Sequence, residues 1–209
     1  MNHGRIRPRF VIFDMDDVLC RYDLAARLEA MSEATGVAPE AIHAAIWKSG
    51  FEDQSDGGCF ADGEAYLDEL CRRLGTPLSR SQWIAARRAA MTLDPLVIGL
   101  AEAVKSRAEI ALFTNNGPLL KETLAEIHPV LGALFADAIY CSCEFAAAKP
   151  ARRAYRGLTT RLGIDPADAY FIDDKKANVD GALAAGLRAH HYTSFPPLAR
   201  EVEELGLLP

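Results

Sequence analysis

Five short apolar runs punctuate the chain, at residues 10–13, 109–113, 138–141, 169–172 and 187–192. Runs of this length that do not alternate with polar residues predict strands buried on both faces. Helical patterns flank most of them: residues 101–107 precede the second run, 119–127 follow it, 151–162 precede the fourth and 177–185 follow that. Strand alternating with helix predicts an α/β chain, with a Rossmann-like parallel sheet covered by helices on both faces. The interval 20–93 breaks the rhythm and reads as helical. Leu24, Leu28 and Met31 make one stripe, and Ala41, Ala44, Ala45 and Trp47 a second after Pro39. Tyr66, Leu67, Leu70, Cys71 and Leu74 make a third, and Trp83, Ile84 and Met91 a fourth. A Gly- and Asp-rich loop, 52–63, separates the second from the third. The expected organisation is a Rossmann-like core of residues 1–19 and 94–209 with an inserted helical cap of 20–93.

Polar residues are not scattered among these elements; they collect where strands end. The first run, FVIF, leads directly into Asp14, with Asp16 and Asp17 behind it. The second ends at Thr114, followed by Asn115, Asn116 and Gly117. Lys149 stands just before a helix, in AAAKPARRAY, and the fourth run ends at Asp173 and Asp174. Parallel strands bring their carboxyl ends to one rim, where ligands of open α/β sheets bind. Carboxylates gathered at an apolar core are costly unless compensated, and a hard cation such as Mg²⁺, which takes oxygen ligands, relieves their repulsion. Such a set suits phosphoryl transfer. Asp14 attacks phosphorus, Asp16 handles the proton, Thr114 and nearby amides hold phosphate oxygens, and Lys149 neutralises charge. Taken singly, each residue has a plainer reading. Asp14 and the Asp173–Asp174 pair suit helix caps, Thr114 to Gly117 suit a turn, and Lys149 suits a solvated side chain.

Composition narrows the partners. The chain has 209 residues, half of them hydrophobic, and a net charge of −6. An acidic chain disfavours phosphate-backbone binding, so no nucleic acid is expected as partner. No apolar run approaches the ~18 residues of a membrane span. Arg5, Arg7 and Arg9 resemble a signal n-region, but Asp14, Asp16 and Asp17 interrupt the apolar segment behind them, so the expectation is cytoplasmic. The five cysteines show no zinc spacing. Cys141 and Cys143 are expected on one face of a strand, as buried thiols.

The order DMDDV, FTNN, KP and FIDD with ANVDGA resembles the haloacid dehalogenase-like hydrolase superfamily over essentially the whole chain. The helical insert resembles that superfamily's helical-cap branch. Within it the sequence is similar to small sugar-phosphate phosphatases and to the phosphatase-like domain attached to some epoxide hydrolases. The resemblance implies a Mg²⁺-dependent phosphoric monoester hydrolase acting on a small phosphorylated metabolite, as a monomer or homodimer. It makes Asp14 nucleophile and metal ligand, and Asp16 acid/base with a metal-binding carbonyl. Thr114 and Asn115 become the phosphate-binding motif, Lys149 the motif lysine, Asp173 and Asp174 the acidic metal pair, and Asn178 their support; Asn116 joins Thr114, Asn115 and Lys149 as a substrate-binding candidate. Two departures stand out: Asp17 occupies a position commonly Gly, and Lys175 and Lys176 follow the acidic pair where small or neutral residues are commoner. The alternatives are a haloacid dehalogenase, a phosphomutase, or a receiver-like regulator that binds without turnover. In the insert, Trp47, Phe51 and Phe60 are candidates to pack a substrate body, and Glu52, Asp53 and Asp56 to bind its hydroxyls. The competing reading makes Trp47 and Phe60 core of the insert.

Overall fold

A computed structural model describes residues 7–208; Arg5 of the basic N-terminal trio lies outside the described residues. Among the described residues, the main sheet has five strands. The described residues divide into two compact units, one of 7–20, 93–113 and 149–208 and the other of 21–92 and 114–148.

The first unit is built on four parallel strands in the order β4-β1-β6-β7: β1 (Phe10–Phe13), β4 (Glu109–Thr114, whose last residue opens the second unit), β6 (Ala169–Asp173) and β7 (Arg188–His191). Phe13 of β1 is level with Leu112 of β4 and with Ile172 of β6, so Asp14 and Asp173 are next-door neighbours at the carboxyl rim. Every residue of β1 and β6 is buried. Successive strand residues face opposite ways, so both faces of these strands are covered. The helices form two packed pairs, α6 (Pro95–Val104) with α11 (Phe195–Glu204), and α9 (Arg152–Leu162) with α10 (Lys176–Ala185). Phe113, Tyr155 and Phe171 pack mutually in the core with ring centroids 5.6–6.4 Å apart. The Lys149–Pro150 peptide is cis.

The second unit contains α1 (Leu24–Thr35), α2 (Pro39–His43) continued by a π-helical turn (Ala44–Lys48), α3 (Phe51–Asp56), α4 (Gly63–Leu74), α5 (Arg80–Ala89), α7 (Pro118–Ile127), α8 (Pro129–Phe135) and β5 (Ile139–Cys141). The chain enters and leaves the insert through a two-stranded ribbon, β2 (Cys20–Tyr22) and β3 (Met91–Leu93). Sequence signals fix several helix starts: Asp23 and Asp62 cap α1 and α4 through their side chains, and Ser79 with Gln82 forms a capping box on α5. Residues 114–148 group with the insert because α4 and α5 both pack on α7. Glu122 of α7 accepts from the Gly63 backbone N–H at 2.7 Å and pairs with Arg80 at 2.8 Å.

Three expectations change. The loop 52–63 contains helix α3, held in place because Phe51 is fully buried and its ring lies 5.0 Å from Tyr66. Phe51 is therefore core of the insert, not a surface for substrate. Met91 is not the end of the fourth helix but the start of β3, because α5 stops at Ala89. Cys143 leaves the strand for a 3₁₀ turn after Cys141, and burial pushes its thiol pKa up to about 12. Among the described residues, no helix is long and apolar enough to cross a membrane.

Gly181 on α10 sits so close to Pro150 that a Cβ there would lie 2.4 Å from the Pro150 carbonyl oxygen. Backbone does not yield cheaply, so Gly181→Ala is expected to cost about 1–3 kcal/mol, or roughly 2–10 °C in melting temperature. An unchanged thermal melt would show that this contact does not fix the segment carrying Lys149.

Candidate active site

Asp14 and Asp173 leave adjacent strands side by side, and Lys149 comes from a different segment to meet both. The Lys149 ammonium donates to Asp14 Oδ1 at 2.8 Å, to Asp173 Oδ2 at 2.7 Å and to the Phe113 carbonyl at 3.0 Å. All three side chains are buried. Burial alone would lower the Lys149 pKa, but the charges of Asp14 and Asp173 more than offset it and hold the ammonium protonated. Burial pushes the Asp14 pKa well up, against the pull of Lys149. The plainer reading of Lys149 as a solvated side chain does not describe it: the ammonium lies in a buried ion cluster.

The carboxylates differ in how they are occupied. Asp173 is saturated: its Oδ1 accepts from the Lys175 N–H and from Asn178 Nδ2, and its Oδ2 from Lys149 and again Asn178. A carboxylate offers about four acceptor sites, so little of Asp173 is left for anything else. Asn178 is itself anchored, since the Tyr155 hydroxyl donates to its carbonyl at 2.6 Å. Asp14 Oδ1 accepts from Lys149 and from the Met15 N–H at 2.8 Å. Asp174 is the exception, because its Oδ1 is buried without a hydrogen-bond partner. Burial first, and then the Asp173 charge, push the Asp174 pKa up.

Oxygens of Asp14, Asp173 and Asp174 lie within 4.8 Å of one another. When ionised, the three carboxylates outnumber the one ammonium buried among them, with the Lys175 charge also acting on Asp174. That excess, the hard oxygen donors and the orphaned Asp174 oxygen together fit a divalent cation such as Mg²⁺. Asp16 is half-buried and approached by the Cys20 thiol at 3.6 Å, while Lys175 and Lys176 are exposed. His191 donates through Nε2 to the Asp174 carbonyl at 2.8 Å. That link follows from the parallel pairing of β7 with β6, which sequence patterning does not specify.

Thr114, Asn115 and Asn116 belong to the second unit. Thr114 is buried and accepts from Asn116 Nδ2 at 2.8 Å. Asn116 in turn accepts from Arg87 at 3.3 Å, a residue the sequence reading does not single out.

The sequence pattern of the haloacid dehalogenase-like hydrolases matches residues 8–186, and the chain belongs to that family. It is 27% identical over 193 residues to Phosphatase MT3486 of Mycobacterium tuberculosis, covering 86% of this chain and 85% of that protein. A 68-residue stretch is 32% identical to flavin mononucleotide hydrolase 1 of Arabidopsis thaliana, covering 28% of that protein. Among solved structures, a HAD-family enzyme of Bacteroides thetaiotaomicron, in complex with magnesium and inorganic phosphate, superposes with a TM-score of 0.74 at 20% identity, over 91% of this chain and 98% of its own. An L-2-haloacid dehalogenase of Xanthobacter autotrophicus superposes with a TM-score of 0.62 at 21% identity, over 97% of this chain and 85% of its own. At these identities the two structures establish the fold.

Asp17 has a left-handed backbone, φ 62°, in the turn closed by its N–H to the Cys20 carbonyl. Asp tolerates this region and Gly prefers it, which accounts for the fit of Asp where Gly is common. Asp17→Gly is expected to leave the melting temperature unchanged or raise it. Asp17→Val should destabilise by about 1–2 kcal/mol. Equal losses in the two variants, read by thermal melting, would contradict a conformational role for this position.

Proposed function

We propose that the protein is a Mg²⁺-dependent phosphatase that hydrolyses a small phosphorylated metabolite, of sugar-phosphate class, through an aspartyl-phosphate on Asp14. The observation that carries this reading is the Lys149 ammonium holding Asp14 beside a carboxylate pair one of whose oxygens, Asp174 Oδ1, lacks a partner. The curated relative named as a phosphatase supports the reaction class, and the resemblance of the motifs supports the substrate class.

Asp14 Oδ1 is held by Lys149 and Met15, which leaves Oδ2 to attack phosphorus. Asp16 gives a proton to the leaving oxygen, then takes one from the water that cleaves the acyl phosphate. Lys149 balances the charge of Asp14 and of the arriving phosphoryl group. Asp173, saturated by its donors, serves to place Lys149. Asp14 and Asp174, with the Asp16 carbonyl, would hold the cation, which would supply charge neutralisation to the carboxylates and phosphoryl oxygens. By the family motif, Thr114 and Asn115 bind phosphate oxygens. A dehalogenase of this superfamily has no use for an acid at Asp16 or for a cation.

An aryl phosphate assay with Mg²⁺ tests the proposal. Turnover is expected, with loss on chelation and recovery on adding the metal back. Asp14→Asn should lower kcat by at least about 10³-fold, and Asp16→Asn by about 10²–10⁴-fold. Well-folded protein that is inert with Mg²⁺ across a broad panel of phosphate esters would overturn it.

A further inference from the structure

A chain of hydrogen bonds inside the second unit ends on the Thr114 hydroxyl and determines which way that hydroxyl points. Arg87, on α5 of the helical insert, is buried with its guanidinium 4.7 Å from the Tyr22 ring centroid. It donates through a terminal nitrogen to Asn116 Oδ1 at 3.3 Å, and Asn116 Nδ2 donates to Thr114 Oγ1 at 2.8 Å. The Asn116 backbone is held separately: its N–H donates to Ser142 Oγ at 3.2 Å, and that hydroxyl donates to the Asp56 carbonyl at 2.8 Å.

The direction of this chain follows from chemistry alone. A guanidinium has donors and no acceptor, so the Asn116 oxygen must face Arg87. The amide nitrogen must then face Thr114, and an amide N–H only donates. Thr114 Oγ1 is therefore an acceptor toward Asn116. Its own hydrogen is directed elsewhere, and no acceptor takes it among the described residues.

We infer that Arg87 is a positioning residue which, through Asn116, keeps the Thr114 hydroxyl oriented as a hydrogen-bond donor to a phosphate oxygen. The inference rests on the phosphatase reading, in which Thr114 meets the phosphoryl group. It adds that a residue of the helical insert, which touches no substrate atom in this role, sets phosphate affinity. It also gives Asn116 a task beyond substrate contact, because its amide oxygen and one amide N–H are engaged in the relay.

Asn116→Asp separates orientation from packing. A carboxylate at this position pairs with Arg87 and accepts from Thr114, so it reverses the hydroxyl and takes its proton away from phosphate. The added charge also repels phosphate directly, so the variant is measured alone and in a Thr114→Val background, a double-mutant cycle. The probe is inorganic phosphate, titrated calorimetrically in the presence of Mg²⁺, with competitive inhibition of aryl phosphate turnover as a second readout. Thr114→Val should weaken phosphate binding about ten- to a hundredfold, the loss of a hydrogen bond to a charged group. Asn116→Asp should weaken binding at least about tenfold more when Thr114 is present than when Val replaces it. Arg87→Met should weaken binding in the same coupled way, with Arg87→Lys restoring most of it; if Arg87→Met does not fold, the Asn116 cycle decides. Equal factors in the two backgrounds would overturn the relay while leaving the phosphatase reading intact. Wild-type protein that neither binds phosphate nor turns over aryl phosphate would overturn both.

Discussion

The buried Lys149 ammonium is the interaction on which the rest of the first unit depends. Parallel pairing of β1 with β6 forces Asp14 and Asp173 to emerge as neighbours. Two carboxylates buried together repel strongly in a low-dielectric setting, and a single buried charge left unpaired costs several kcal/mol. Lys149 answers both at once, at 2.8 and 2.7 Å. Its nitrogen also lies 5.4 and 5.1 Å from the Phe113 and Phe171 ring centroids, so part of its lost hydration is replaced by ring faces. The balance remains incomplete by design of the site: with Asp174 included, negative charge is in excess, and that excess is what fits a cation.

Around this cluster the core acts as a mount. Tyr155 packs against both Phe113 and Phe171 and bonds the Asn178 carbonyl, while the Asn178 amide grips both oxygens of Asp173. The start of α10 is thereby tied to the end of β6 through side chains as well as backbone. The close seat of Pro150 on Gly181 fixes the segment that delivers Lys149. The division of labour between adjacent acids follows: Asp173 is held by four donated bonds and places the lysine, and Asp174 is left with an open oxygen. In the second unit the Arg87–Asn116–Thr114 chain uses the same logic, in which a group with only donors dictates the orientation of everything after it.

Much of this was legible in the sequence because parallel strands buried on both faces read as unbroken apolar runs, and the acids and the threonine stand directly at their ends. β1 and β6 match their apolar runs to within one residue. The elements that escaped have weak local signals. β2 and β3 are three residues each and only partly buried, too short for a period to show. Helix α3 lies in a stretch rich in Gly and Asp, and it forms because Phe51 docks on Tyr66, a tertiary contact that overrides local propensity. The grouping of 114–148 with the insert depends on Glu122 and on helix packing across distant segments. The motif residues carried their positions but not their partners: nothing in the spacing of Asn116 announces Arg87, and Lys149 read locally as a solvated side chain.

The proposed chemistry turns on Asp14 as the residue that accepts the phosphoryl group, and trapping that intermediate tests its role. The Asp16→Asn variant should still be phosphorylated by an aryl phosphate, whose leaving group needs little acid assistance, but should lack the base that hydrolyses the acyl phosphate. Acid quenching followed by peptide mass analysis is predicted to place one phosphoryl group on the peptide containing Asp14, labile to hydroxylamine and absent when Asp14 is also changed to Asn. A phosphoryl group on any other residue, or none from a variant that still releases the aryl alcohol, would contradict it.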